Sequence, residues 1–244
     1  MSTAGDLSPP NDSGTPVGRR VVLGMLGLGA LGILVGDKVQ ARIEQVLRPL
    51  TQNDPTGLTS FVPTAGRFRI YSVVGHLPER SDAEYRLTVD GLVDRPLTLS
   101  LDDLQRRPQT DLVRDFQCVT GWRVPDVPWR GVQVGERLDE AGVQPSATHL
   151  RIWSFDGAYT ESLTLDQARR DDVLVAHEMQ GGPVSRAHGG PVRLYVAPMY
   201  GYKSLKWLER IEVVDELDPG YWEDRGYDVD AWIGRSNGRD DEPA

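Results

Sequence analysis

The chain carries one cysteine in 244 residues, so no intrachain disulfide can brace its fold. Cohesion has to come from burial, and beyond residue 60 the apolar residues come in short runs broken by turn residues. Strands are expected at Arg67–Tyr71, Tyr85–Asp90, Leu97–Leu99, Asp111–Gln117, Val173–His177, Val192–Val196 and Trp207–Val214. Leu150–Ser154 and Tyr159–Leu163 read as a hairpin around Asp156-Gly157. Short helices are expected after Ser100, with Asp103 at the capping-box position, over Val134–Ala141 ending at Gly142, and over Leu165–Arg169. Many short strands with few short helices define an α+β fold of mixed sheets. The order is not a βαβα alternation. No G-x-G-x-x-G joins a strand to a helix, and there is no Walker A sequence and no H-E-x-x-H, which argues against dinucleotide, nucleotide-phosphate and zincin folds.

The N-terminal end reads as an address or an anchor. Residues 1–17 are rich in small polar residues and are expected to be a disordered tail. Arg19-Arg20 then precede an uncharged run from Val21 to Gly36, so residues 18–48 read as a twin-arginine-like export signal or membrane-anchor helix. At helical rise the run covers roughly 24 Å, short of a bilayer core of about 30 Å, but Val39, Ile43, Val46, Leu47 and Leu50 continue the helical spacing. No clear small-residue cleavage site follows, which favours an uncleaved anchor, and arginines ahead of it place the body outside the cytoplasm. Residues 49–60 read as a linker, 61–234 as the ordered domain and 235–244 as a flexible tail.

Asp and Glu number 36 against 27 Lys and Arg, a formal charge of −9, which argues against nucleic acid as a partner. Against that background Arg186, Arg193, Lys203, Lys206 and Arg210 stand close together, the pattern of a local pocket for an anion. The lone thiol sits in Arg114-Asp115-Phe116-Gln117-Cys118-Val119-Thr120-Gly121-Trp122, where a strand enters a turn. A soft thiolate with downstream cationic donors suits a soft metal carried by an anionic cofactor better than a zinc site. Trp122, Trp129 and Trp207 read as core packing, and His76, His149 and His177 show no metal spacing. Gly189, Gly190 and Gly201 are expected to let backbone approach a ligand closely.

These motifs, together with Trp129-Arg130-Gly131-Val132, His188-Gly189-Gly190-Pro191-Val192-Arg193, Tyr200-Gly201-Tyr202-Lys203-Ser204-Leu205-Lys206-Trp207 and Gly220-Tyr221-Trp222, resemble the sulfite-oxidase fold family of molybdopterin oxidoreductases. The bacterial branch that includes the periplasmic methionine-sulfoxide reductase catalytic subunit is most similar. The resemblance implies a molybdenum–molybdopterin cofactor, with Cys118 as the protein's metal ligand. It implies that Arg193, Lys206, Ser204, Leu205 and His188 hold the pterin and its phosphate, with Ser154 near the pterin. Tyr71 and Ser72 fall, with a looser match, at an upstream cofactor segment. Sulfite oxidases follow the ligand cysteine with a Gly-Asn-Arg-Arg type turn, whereas this chain has Val119-Thr120-Gly121-Trp122-Arg123. Arg123 is then the candidate for a substitute charge near the substrate.

The implied activity is two-electron oxygen-atom transfer to or from a small substrate, a sulfoxide, an N-oxide or a sulfite-like anion. Electrons would pass to a membrane cytochrome or quinone-linked partner, because one cysteine leaves no C-x-x-C-H haem site. A monomer is expected. Two other readings stay open at this point. One is a cysteine hydrolase built on Cys118 with a nearby histidine; the other is a membrane-tethered binding module that has lost the cofactor.

Overall fold

The computed structural model describes residues 68–238. The chain divides into two units, residues 1–64 and 65–244, and all described residues belong to the second. The expected tail, signal or anchor and linker lie outside the described residues. Among the described residues no helix is long and apolar enough to cross a membrane.

Ten strands and three short α-helices make up the described domain: β1 (Arg86–Gly91), β2 (Leu97–Ser100), α1 (Leu101–Arg106), β3 (Thr110–Gln117), β4 (Arg123–Gln133), α2 (Val134–Ala141), β5 (His149–Ser154), β6 (Thr160–Thr164), α3 (Leu165–Ala168), β7 (Val173–Met179), β8 (Gly182–Pro183), β9 (Arg193–Val196) and β10 (Leu208–Val214). The first sheet has the order β2-β1-β10-β5-β6, antiparallel except for the parallel β1–β10 pair. The second runs β3-β4-β7-β8, with β9 also on β7, and all its pairs are antiparallel.

Side-chain alternation decides which face each strand buries. In the first sheet Leu87, Val89, Leu150, Ile152, Ile211 and Val213 all point into the main core. Strand β7 is buried on both faces: Val173 and Val175 join the main core, while Leu174 and Ala176 join a second cluster with Phe116, Trp129 and Tyr195. That is why β7 opens with the unbroken apolar run Val173–Ala176. In the second cluster the Trp129 and Tyr195 rings stack with centroids 3.9 Å apart, so Trp129 is core packing, as expected. The expected capping box is present: Ser100 Oγ accepts from the Asp103 N–H at 3.1 Å, and Asp103 Oδ2 accepts from the Ser100 N–H at 3.0 Å. Helix α2 ends at Gly142, whose φ of 72° is the left-handed cap that glycine adopts freely.

Two expectations need correcting. Phe68–Tyr71 forms no strand: Phe68 packs on Phe116 with centroids 5.2 Å apart, while Ile70 and Tyr71 lie exposed without a ladder partner. And β4, the longest strand, was not expected, because Pro125 and Pro128 interrupt its sequence. The prolines are tolerated because β7 pairs only with Trp129–Gln133, so residues 123–128 have a ladder partner on the β3 side alone. Pro125 and Asp126 fall where the β3–β4 register shifts, and Asp126 takes a φ of 51° there.

Candidate functional site

The β3–β4 connection is a tight turn that carries the thiol. The Cys118 N–H donates to the Trp122 carbonyl at 2.9 Å, and the Gly121 N–H returns to the Cys118 carbonyl at 2.9 Å. Gly121 closes the turn with a φ of 97°, a conformation that suits glycine. The Thr120 hydroxyl lies 3.2 Å from Cys118 Sγ and donates to it. Cys118 is half-buried.

The other side of the site comes from the connections flanking β9. His188 ends a 3₁₀ turn, Arg186–His188, that is capped by Gly189 at a φ of 102°. The Gly189 carbonyl accepts from the Trp207 N–H at 3.0 Å, and Trp207 itself is held at a φ of 54°, an uncommon conformation for a bulky residue. The segment Tyr200–Trp207 is folded on itself, with Lys203 N–H donating to Tyr200 O at 3.0 Å and Ser204 N–H to Gly201 O at 3.2 Å. Ser204 Oγ accepts from the Val196 N–H at 3.0 Å, which ties this segment to β9.

These pieces enclose a cavity of about 280 Å³. Cys118, His188, Arg193, Ser204, Lys206, Tyr71 and Ser72 all line it, although they are scattered along the sequence. Three other expected site residues are not brought to it. Leu205 is buried in the main core. Ser154 is buried and accepts from the Asp156 N–H at 3.1 Å. Arg123, about half exposed, pairs with Asp115 at 3.2 Å and is not in the cavity wall.

The expected cationic cluster also shrinks. Arg186 pairs with Glu79, Arg210 with Asp90 and Glu212, and Lys203 is fully buried between Glu161 and Glu223. Arg193 and Lys206 are the members of the cluster that face the cavity. The three glycines serve protein packing: a Cβ on Gly189 would lie 2.6 Å from Lys206 Cβ, one on Gly190 2.0 Å from the Val184 carbonyl, and one on Gly201 2.5 Å from the Phe116 ring.

Electrostatics mark the cavity as one that accepts an anion. Burial pushes the Lys206 ammonium down to about 8, helped by Arg193 and opposed by Asp156. Burial alone takes Arg193 down to about 10. His188 falls to about 4, through burial first and then repulsion from Arg193 and Lys206, so its imidazole is neutral at pH 7. Lys206 donates to the Tyr71 carbonyl and sits 4.3 Å from the Trp207 ring centroid. Arg193 spends donors on the carbonyls of His188 at 2.8 Å, Ser204 at 2.7 Å and Leu194 at 3.4 Å. Cations held uncomfortably in a low-dielectric wall are relieved by a bound negative charge.

The remaining wall is aromatic, and sequence reasoning missed most of it. Phe68, Phe116, Trp122, Tyr159, Tyr202, Trp207, Trp222 and Tyr227 line the cavity, and the Trp222 and Tyr227 rings pack with centroids 5.2 Å apart. Asp156 also lines it; its place in a hairpin turn disguised it. Gly220-Tyr221-Trp222 was legible as a motif but carried no signal that Trp222 faces the cavity. Among the described residues no group of His, Cys, Asp and Glu is arranged to hold a metal by itself. The donor set of one thiol, two cations and flat apolar walls therefore fits a metal brought in by an anionic, planar organic group, and molybdopterin is such a group.

Two sheets with this cavity define an α+β fold built around a candidate cofactor site. Among solved structures, the sulfane dehydrogenase SoxCD from Paracoccus pantotrophus shares the fold, with a TM-score of 0.53, 24% identity, and coverage of 62% of this chain and 45% of that one. The family profile described as "Oxidoreductase molybdopterin binding domain" matches residues 74–222. The chain belongs to this family of molybdopterin-binding oxidoreductases, the sulfite-oxidase type, and its cofactor is molybdenum–molybdopterin.

Curated relatives agree. The "Uncharacterized oxidoreductase YuiH" of Bacillus subtilis is 35% identical over 65% of this chain and 81% of its own length. The protein-methionine-sulfoxide reductase catalytic subunit MsrP of Ralstonia nicotianae is 31% identical over 57% of this chain and 46% of its own. The putative protein-methionine-sulfoxide reductase subunit YedZ1 of Azospira oryzae is 27% identical over 91% and 88%. The chain thus spans less than half of the MsrP relative and most of the other two. Membership of an oxidoreductase family displaces the cysteine-hydrolase reading.

Proposed function

We propose that this chain is an exported, membrane-linked molybdenum oxidoreductase acting on a small uncharged oxygen-atom donor, a sulfoxide or an N-oxide, with electrons delivered by a membrane partner. One observation carries the reading: the lone Cys118 thiol shares a cavity with buried Arg193 and half-buried Lys206 and His188. When bound, the cofactor supplies two-electron transfer of an oxygen atom. Cys118 would ligate the metal, and Thr120 would orient the sulfur through its hydroxyl. Lys206 would take the phosphate end with its ammonium, with Tyr71 and Ser72 along the rim. Arg193 would act by bracing the carbonyls of His188 and Ser204, so that both residues keep their positions.

The aromatic walls would exclude water and receive an apolar substrate. The uncharged class is favoured over sulfite because Arg123, the candidate anion-binding residue, is turned to Asp115 outside the cavity. Of the substrates left open by the sequence, the sulfoxide is supported by the likeness to the YedZ1 relative over 91% of the chain. The experiment is metal analysis of the full chain made in a host that synthesises the pterin, beside Cys118→Ser. Stoichiometric molybdenum in the wild type, with a lost or altered molybdenum spectrum in the variant, supports the reading. A wild type without molybdenum overturns it in favour of a binding module that has lost its cofactor.

A further inference from the structure

Beneath the aromatic wall lies a charge cluster that the proposed chemistry does not use. Lys203 is fully buried, and its ammonium donates to Glu161 Oε1 and the Ser162 carbonyl, both at 2.6 Å, and to Glu223 Oε1. Three acceptors exhaust the three donors of an ammonium. The two carboxyl groups are not equivalent. Both oxygens of Glu223 are engaged, Oε1 by Lys203 and Oε2 by the Gly220 N–H. On Glu161, Oε1 also accepts from the Ser162 N–H at 2.9 Å, but Oε2 takes no donor among the described residues. The two carboxyls also lie within hydrogen-bonding reach of each other. Two buried carboxylates facing one ammonium leave a net negative charge, and one added proton removes it.

We propose that Lys203, Glu161 and Glu223 form a neutral, proton-sharing clamp in which Glu161 carries the proton and which positions the cavity's cationic segment against its aromatic wall. The clamp draws one residue from each of three parts. Lys203 stands directly ahead of Ser204 and three residues before Lys206. Glu161 is on β6, two residues after Tyr159 of the wall. Glu223 follows Trp222 of the wall. A second tie runs beside it, from the Tyr159 hydroxyl to the Tyr202 carbonyl at 2.7 Å. The groups that face Glu161 are Lys203, Glu223, Tyr159 and Tyr202. Burial raises Glu161 to about 8, with Glu223 adding to the rise and Lys203 opposing it. An acid whose folded value is raised contributes stability that is full below its unfolded value and lost as pH rises through the folded one.

The test compares the full-length wild type with Glu161→Gln, which keeps the shape and cannot ionise. In cofactor-free protein, the variant's thermal midpoint should gain on the wild type as pH rises above the ordinary glutamate range, then hold constant above about 8. Above that pH, hydrogen-exchange protection of the amides of Lys203 to Lys206 should fall roughly tenfold in the wild type and hold in the variant. Parallel midpoints across the range, or a variant already unstable at pH 6, would show that Glu161 is the ionised partner and sink the shared proton. Equal protection in both proteins at high pH would sink the positioning role. The link to the cofactor rests on the function proposed above. Molybdenum retention should show the same pH difference, and a wild type that never loads molybdenum fails that reading while the two cofactor-free measurements still decide the clamp.

Discussion

The Gly201 N–H donates to the Gln117 carbonyl at 2.7 Å, which joins the residue ahead of Cys118 to the segment that carries Ser204 and Lys206. The approach is close because Gly201 has no Cβ; one would lie 2.5 Å from the Phe116 ring. Gly201→Ala should therefore destabilise the protein by about 1–3 kcal/mol, the usual cost of overpacking. The check is the urea midpoint, which should fall with an unchanged slope. Molybdenum content should fall with it, because the thiol turn and the cationic segment would part.

Arg193 is almost fully buried and its guanidinium holds three carbonyls. Lysine has the charge but not the fork, so Arg193→Lys leaves at least one carbonyl without its donor. The expected loss is about 2–4 kcal/mol by chemical denaturation. Loss of less than half a kcal/mol would show that the bracing role is wrong.

Lys206 gives the cavity a pH dependence with a definite sign. Its folded value is lowered to about 8, so the ammonium that favours an anion is present below that pH and disappears above it. Inorganic phosphate titrated into the cofactor-free protein should bind more weakly as pH rises past about 8. Lys206→Gln should bind it roughly tenfold more weakly at pH 6 and show no such decline.

Local chemistry carried most of the fold into the sequence. The Ser100–Asp103 box, the Gly142 cap and the Asp156-Gly157 hairpin depend on residues within a few positions of one another, and each is present. What failed depended on distant partners. The prolines of β4 are tolerable because β7 stops short of them, which its own sequence cannot say. Phe68–Tyr71 alternates like a strand, yet Phe68 is claimed by Phe116, Trp122 and His188. The same divide runs through the site. Cys118, His188, Arg193, Ser204 and Lys206 stood out through their motifs and share the cavity. Lys203 looked like one more cation of the pocket, but Glu161 and Glu223, more than 15 positions away on either side, take it into the core.

The nature of the substrate can be read from two substitutions made together. Arg123 is half exposed and paired with Asp115, and an exposed pair of this kind contributes about 0–1 kcal/mol. Arg123→Ala should therefore keep its molybdenum and turn over a sulfoxide such as dimethyl sulfoxide with unchanged KM. Trp222 lines the cavity and packs on Tyr227, so Trp222→Ala removes apolar wall that a neutral substrate would cover. Its KM for the sulfoxide should rise about 5- to 30-fold, the equivalent of about 1–2 kcal/mol of lost apolar contact. Steady-state assays with a dye donor separate the cases. If Arg123→Ala instead raised KM while Trp222→Ala left it alone, the substrate would be an anion met outside the aromatic wall, and sulfite would become the leading candidate.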